Sequence, residues 1–294
     1  ERNGFPWALS LADQLAVYET VTFLIIGSTH YEPARKRELL ENGVFAPVWE
    51  AFETRYQEAL SLGAALTKNG FLGGGRAAKS SLVEQRLLSA YRLAHCIHLV
   101  SATSRAFSSA VPVKSVEGLQ ELYLRSFELF LKTMALAEEG GGGGSGSSSE
   151  DDGSTETLHL LQAAIRLLLH RLIVCIDEEA MIPILPNAIQ RTFLSAADIT
   201  AKSLQELVPL FSQILPKYRH SWLFARDIVP FVGRIFSPLV LLFFKLIYAA
   251  ANSSVGVAGV GDAEALQKAY FTFVNIVVMN NLILAFFDLG KFGG

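Results

Sequence analysis

Apolar residues return every three or four positions along almost all of this 294-residue chain, and no stretch keeps a two-residue alternation. That periodicity constrains the fold more than any other feature, because it puts one apolar stripe on a helix and none on a strand. In "LADQLAVYETVTFLII", Leu11, Leu15, Tyr18 and Leu24 fall at helical steps. Val48, Phe52, Tyr56, Ala59 and Leu62 make a second stripe, and Leu88, Tyr91, His95 and Leu99 a third. The spacing predicts helices near 8–28, 33–66, 80–109, 116–136, 156–178, 181–197, 201–219, 223–250 and 262–289. They recur in pairs separated by short turns, so the expected class is all-α.

A weak internal repeat accompanies the pairing. "VFAPVW" (Val44–Trp49), "MIPILP" (Met181–Pro186) and "DIVPFV" (Asp227–Val232) each set a proline among large apolar residues. Pro183 and Pro230 are expected to open the second helix of a pair, and they lie 47 residues apart. That period matches HEAT or armadillo units, about 40–47 residues. The expected architecture is one continuous HEAT-repeat superhelical solenoid of antiparallel helix pairs over 1–294, interrupted by a flexible Gly/Ser/acidic insertion at 138–155 ("EEGGGGGSGSSSEDDGS") that cannot bury a core. A chain with 51% apolar and only 18% charged residues suits such a stack, whose repeats bury each other's faces.

Charge and cysteine content narrow the function. A net charge of −3 excludes a globally basic nucleic-acid binder, so any anion site must be local. Cys96 and Cys175 make no disulfide framework and suit a reducing compartment. Glu1–Ser10 lacks the pattern of a signal peptide. The chain opens on Glu1 rather than Met, and a piece of a longer protein is expected. Ile228–Ala251 is long enough to span a membrane but contains Arg234 and Lys245, and Tyr270–Phe287 contains Asn275, Asn280 and Asn281. A charge at the centre of a membrane helix costs roughly 2.5–3.5 kcal/mol, so buried helices are expected and membrane insertion is not.

Catalytic patterns are weak. His95 and His98 can share a helix face while Cys96 points elsewhere, which falls short of three convergent metal ligands. "GFLGGGRAAKSS" (Gly70–Ser81) lacks the order of a phosphate loop and follows no strand. The carboxylates of Asp177–Glu179 read as a solvated helix end. Neither an enzyme nor a cofactor nor a metal site is expected.

The basic residues are sparse and grouped. Arg35, Lys36 and Arg37 follow Pro33 at a helix start, where cations oppose the macrodipole at a few tenths to 1 kcal/mol each. Further groups hold Arg105 and Lys114, then Arg191, then Lys217, Arg219 and His220 in "PKYRH". Taken singly each is a solvated surface; gathered along a curved stack they would neutralise phosphates. Glu32 and Glu38 flank the first triplet and offer the plainer alternative of surface pairing.

Several long segments together resemble one family. Asp13–Phe52 resembles a helix pair running through "YE", an apolar helix, a basic turn and a further long helix. Ser101–Ser115 ("SATSRAFSSAVPVKS"), Ala164–Ile189 ("AIRLLLHRLIVCIDEEAMIPILPNAI"), Ala201–Ile214 and Lys268–Val277 follow in the same order. The family is the tRNA-exporting branch of the importin-β-like nuclear transport receptors, the karyopherins, and the likeness covers about residues 11–280, departing at the Gly/Ser tract and at the glycine-rich 70–81 linker. It implies a piece of the C-terminal half of a HEAT-repeat receptor. Such a receptor binds tRNA cooperatively with Ran-GTP, meets nuclear pore proteins, and shuttles between nucleus and cytoplasm. The family's main Ran-binding surface lies in N-terminal repeats outside this stretch. The resemblance also implies RNA-binding roles for Arg35, Lys36, Arg37, Arg105, Lys114, Arg191, Lys217 and Arg219, because the second helix of each pair lines the concave face. The competing functions are an importin-β-like carrier of protein cargo and a HEAT-repeat scaffold without RNA.

Overall fold

The computed structural model describes residues 9–71, 76–107, 113–138, 152–194, 199–252 and 257–282. Among them every regular element is helical and no strand occurs. The chain forms two compact units, Glu1–Ile176 and Asp177–Gly294.

The first unit contains α1 (Leu11–Gly27), α2 (Pro33–Leu40), α3 (Ala46–Phe71), α4 (Arg76–Thr103), α5 (Leu119–Leu131), α6 (Thr133–Glu138) and α7 (Asp152–Cys175). Ser10 starts α1 by accepting from the Asp13 N–H at 3.2 Å while donating to the Asp13 carboxylate at 2.7 Å, which satisfies a backbone donor that the helix cannot. Helix α4 lies between α1, α3 and α7. Its second half is accordingly buried on several faces, with Leu93, Ala94, Ile97 and Val100 closed off from water. Helix α7 meets it with Leu161, Ile165, Leu168 and Leu172, the three- and four-residue steps of one stripe. Rings fill the space between α3 and α5. Phe52 and Phe130 approach to 4.8 Å, and Phe45 meets Tyr123 edge-on at 5.0 Å.

The second unit contains α8 (Glu178–Met181), α9 (Leu185–Ile189), α10 (Ala201–Tyr218), α11 (Val229–Asn252) and α12 (Val257–Met279). Thr200 caps α10 by accepting from the Ser203 N–H at 3.2 Å. Helix α12 packs on both α10 and α11. Phe273 is the hub, with Phe211, Phe236 and Phe243 ring centres 5.6, 5.8 and 6.3 Å away.

The prolines of the repeat have a physical effect. Pro47 and Pro230 each stand two residues after a five-residue π turn, Glu41–Phe45 and Phe224–Ile228. Proline cannot donate to the residue four back, and its ring clashes with that carbonyl at a cost of about 3 kcal/mol in a regular helix. The wider turn bonds Ala46 N–H to the Glu41 carbonyl and Val229 N–H to the Phe224 carbonyl, which leaves room for the ring. Pro230 thus opens α11 as expected. Pro183 sits instead in a 3-10 turn, Ile182–Ile184, and Pro186 follows three residues later. Two prolines so close break the helix expected over 181–197 into α8, the 3-10 turn, α9 and a π turn at Gln190–Leu194. The helix expected over 116–136 is likewise split at Lys132. Most of the Gly/Ser insertion, residues 139–151, and residues 72–75 of the glycine-rich linker lie outside the described residues. The backbone of α7 begins at Asp152, within the acidic end of the tract.

Among the described residues two helices are long and apolar enough to cross a membrane, Glu156–Cys175 and Phe224–Asn252. The first belongs to the core around α4. The second buries Phe231, Val232, Leu239 and Phe243.

Candidate nucleic-acid interface

Three cations at the start of α2 each find a counterweight. Arg35 reaches the Glu38 carboxylate at 2.7 Å, one turn along an exposed face. Arg37 lies 3.8 Å from Glu41. Its guanidinium also fills the place a Cβ would take on Gly118, which has a φ of +72° and precedes α5. The positive φ favours glycine at that position, and the missing side chain leaves the guanidinium its seat. Lys36 turns the other way and donates from Nζ to the Ile26 carbonyl at 2.8 Å. Ile26 is in the last turn of α1, where unpaired carbonyls leave a partial negative charge that a cation stabilises. The charge that opposes one helix dipole thus complements another.

The other first-unit candidates lie close by. Arg105, just past α4, pairs with Glu19 of α1 at 3.3 Å. Glu19 and Ile26 are two helical turns apart, so Arg105 and Lys36 mark points about 10 Å apart along α1. Lys114 is exposed in the 3-10 turn Val113–Ser115, four residues before the glycine under Arg37. Arg35, Lys36, Arg37, Arg105 and Lys114 therefore share one neighbourhood, with Glu19, Glu38 and Glu41 interleaved. Exposed pairs of this kind contribute about 0–1 kcal/mol and leave each cation open to exchange partners.

In the second unit Arg191 is half-buried in the π turn after α9. Lys217 and Arg219 are exposed at the end of α10. Lys217 lies 4.9 Å from the ring centre of Tyr218. Arg219 donates from Nε to Nε2 of His220 at 2.9 Å. The basic stretch legible in the sequence stops at His220, and the structure extends it. Trp222 is 69% exposed, and the Arg226 guanidinium sits 4.9 Å from the centre of its ring. Arg226 also grips Asp227 with two bonds of 2.8 and 2.7 Å, which hold the Asp227 carboxyl below the usual carboxylate range. The missed signal was an aromatic residue just beyond a basic turn.

The histidine and cysteine group belongs to the core. Burial, with Arg55 beside it, pushes the His95 imidazole down to about 4, and burial pushes the Cys96 thiol up to about 11. His95 donates from Nε2 to the Gln14 amide oxygen at 3.1 Å, tying α4 to α1. Burial and then Arg105 lower His98 as well. Among the described residues no three His, Cys, Asp or Glu side chains converge as a metal site would need. A cleft of about 640 Å³ runs between α3 and α4, with Glu58 and Arg92 among its walls. Its mixed charge gives no advantage to phosphate.

No family model and no solved structure matches this chain. Curated relatives do. Exportin-T of Danio rerio is 29% identical over 279 residues, 95% of this chain. Exportin-T of Homo sapiens is 27% identical over 275 residues, and that of Mus musculus 26% over the same length, each covering 94% of this chain. The chain spans about a quarter of the length of these relatives, 24% and 23% for the zebrafish and human proteins. Over nearly its whole extent, this helical chain is similar to one part of exportin-T.

Proposed function

We propose that this chain is part of a nuclear export receptor for tRNA. It would bind its cargo cooperatively with Ran-GTP, with Ran held mainly by other repeats, and would shuttle between nucleus and cytoplasm past nuclear pore proteins. On this reading it is a carrier and not an enzyme, and α11 packs within protein rather than in a membrane. The observation that carries the proposal is the similarity to exportin-T along 95% of the chain. The first-unit cations support it. Five of them gather around α2 in a chain of net charge −3, and exposed pairs surrender a cation readily to a phosphate. Double-helical RNA is recognised largely by shape and backbone, which suits a cradle of cations without base readout.

Arg35→Glu and Lys114→Glu in the full-length receptor test the reading, because neither side chain supports the core. Affinity for tRNA would be measured across salt at saturating Ran-GTP. Each lost phosphate contact lowers the slope of log affinity against log salt by roughly 0.7–0.9. Arg191, Lys217 and Arg219 would be scanned in the same way. Wild-type affinity and slope in every variant would leave these residues as ordinary surface.

A further inference from the structure

From the exposed indole at the α10–α11 turn, we propose that Trp222 is a stacking platform for an unpaired nucleobase, with Lys217 and Arg219 holding the flanking phosphates. The proposal rests on the RNA reading above and adds a mode of contact to it. Trp222 is 69% exposed on a turn pinned by Ser221 N–H to the Tyr218 carbonyl at 2.9 Å and Phe224 N–H to the Ser221 carbonyl at 3.1 Å. Leu223, Phe224 and Ile228 beside it are buried, so the ring stands on a fixed base. Arg226 covers one face of the indole, and its two hydrogen bonds to Asp227 hold the guanidinium in place. A cation on one face orients the ring without occupying the other.

The charge around the ring selects the occupant. From Leu207 to Gly261 the chain carries one carboxylate, Asp227, and Arg226 already engages it. The residues next to the ring in the chain carry the cations Lys217, Arg219 and Arg226. An exposed aromatic beside cations, with the one adjacent acid already engaged, is the composition of a single-strand site, where bases stack and phosphates are neutralised. Paired bases present edges rather than faces, so the platform needs an unpaired one.

The test uses the 294-residue chain and two probes with identical phosphates, a single-stranded uridine octamer and its abasic counterpart. The wild type should bind the octamer about 5- to 100-fold more tightly than the abasic strand. Trp222→Ala should remove that preference and Trp222→Phe retain most of it, with circular dichroism unchanged because the side chain is on the surface. Lys217→Glu with Arg219→Glu should weaken both probes alike and flatten their salt dependence. Equal wild-type affinity for the two probes, or a preference that survives Trp222→Ala, overturns the stacking proposal and leaves the phosphate reading standing. Binding of neither probe also overturns the stacking proposal, while the phosphate reading stands or falls with the full-length receptor and tRNA.

Discussion

Helices α4 and α11 are both long, yet they end in opposite situations. Helix α4 has α1, α3 and α7 around it, and its apolar residues from Leu93 to Val100 are covered almost completely. Helix α11 has α12 on one side, and there Phe243 and Leu239 vanish from solvent. Further round the helix Leu241 is 71% exposed and Tyr248 73%, with Phe244, whose ring also meets Tyr270 of α12, between them. These three positions follow helical steps, so they form a stripe rather than scattered surface residues. Hydrophobicity does not predict the difference, since α11 is the more apolar of the two helices and α4 the better covered. The number of neighbours does, and an apolar side chain stabilises a fold only when something covers it.

The comparison can be broken by substitution. Phe130→Ala, which empties the space against Phe52, should cost about 3–5 kcal/mol in the urea transition of the first unit. Leu241→Ala should move the second unit's transition by less than about 0.5 kcal/mol. Equal losses would mean that the outer stripe of α11 is covered after all. The stripe should instead act between molecules, since contiguous exposed apolar surface promotes association. Leu241→Lys with Tyr248→Lys should weaken self-association of the chain at least about tenfold, roughly 1.4 kcal/mol, as read by sedimentation at several concentrations.

Smaller effects sharpen the picture of the first unit. Lys36→Met should cost about 0.3–1 kcal/mol by uncapping α1, while Arg35→Met should be close to neutral, its pair with Glu38 being exposed. A reversed order would contradict the assignment of Lys36 to the α1 terminus. The last effect is a slope with pH. The folded chain holds His95 near 4, below its ordinary 6.5, so between these values the unfolded chain binds the extra proton. Stability should therefore rise from about pH 4 to 6.5 and fall as acid is added through that window, with His98 acting in the same direction. His95→Gln should flatten the slope, as measured by urea midpoints at pH 5 and 7.

Much of the fold was legible because helical periodicity is written in side-chain type. The stripe Val48–Phe52–Ala59 is buried where the spacing puts it, whereas Leu11 and Leu24 of the first stripe and Leu88 and Tyr91 of the third stay exposed. Local geometry was less legible. A proline reads as a helix breaker, but whether the chain answers with a π turn, as before Pro47, or with 3-10 turns, as at Pro183, depends on tertiary packing. The candidate interface divides in the same way. The basic groups stand out in an acidic chain, whereas the partner of Lys36 is a backbone carbonyl ten residues upstream that no motif records. Trp222 escaped because tryptophan beside an apolar run reads as core, and only the turn after α10 carries it outward.

The π turn at Glu41–Phe45 also sets a rotational phase. Twelve residues separate Leu40 from Phe52, and a regular α-helix would turn them about 120° out of alignment. One surplus residue in the wider turn removes about 100° of that, leaving a mismatch of about 20°. Leu40 and Phe52, both 0% exposed, can therefore enter the core from a single helical rod. The turn works as a phase shifter. Relaxing it to a regular α-turn with all five residues kept would swing α2 round its own axis by about 100°, carrying Leu40 towards water, Arg37 off Gly118 and Lys36 away from the end of α1 in one step, whereas deleting one of the five residues would keep the phase.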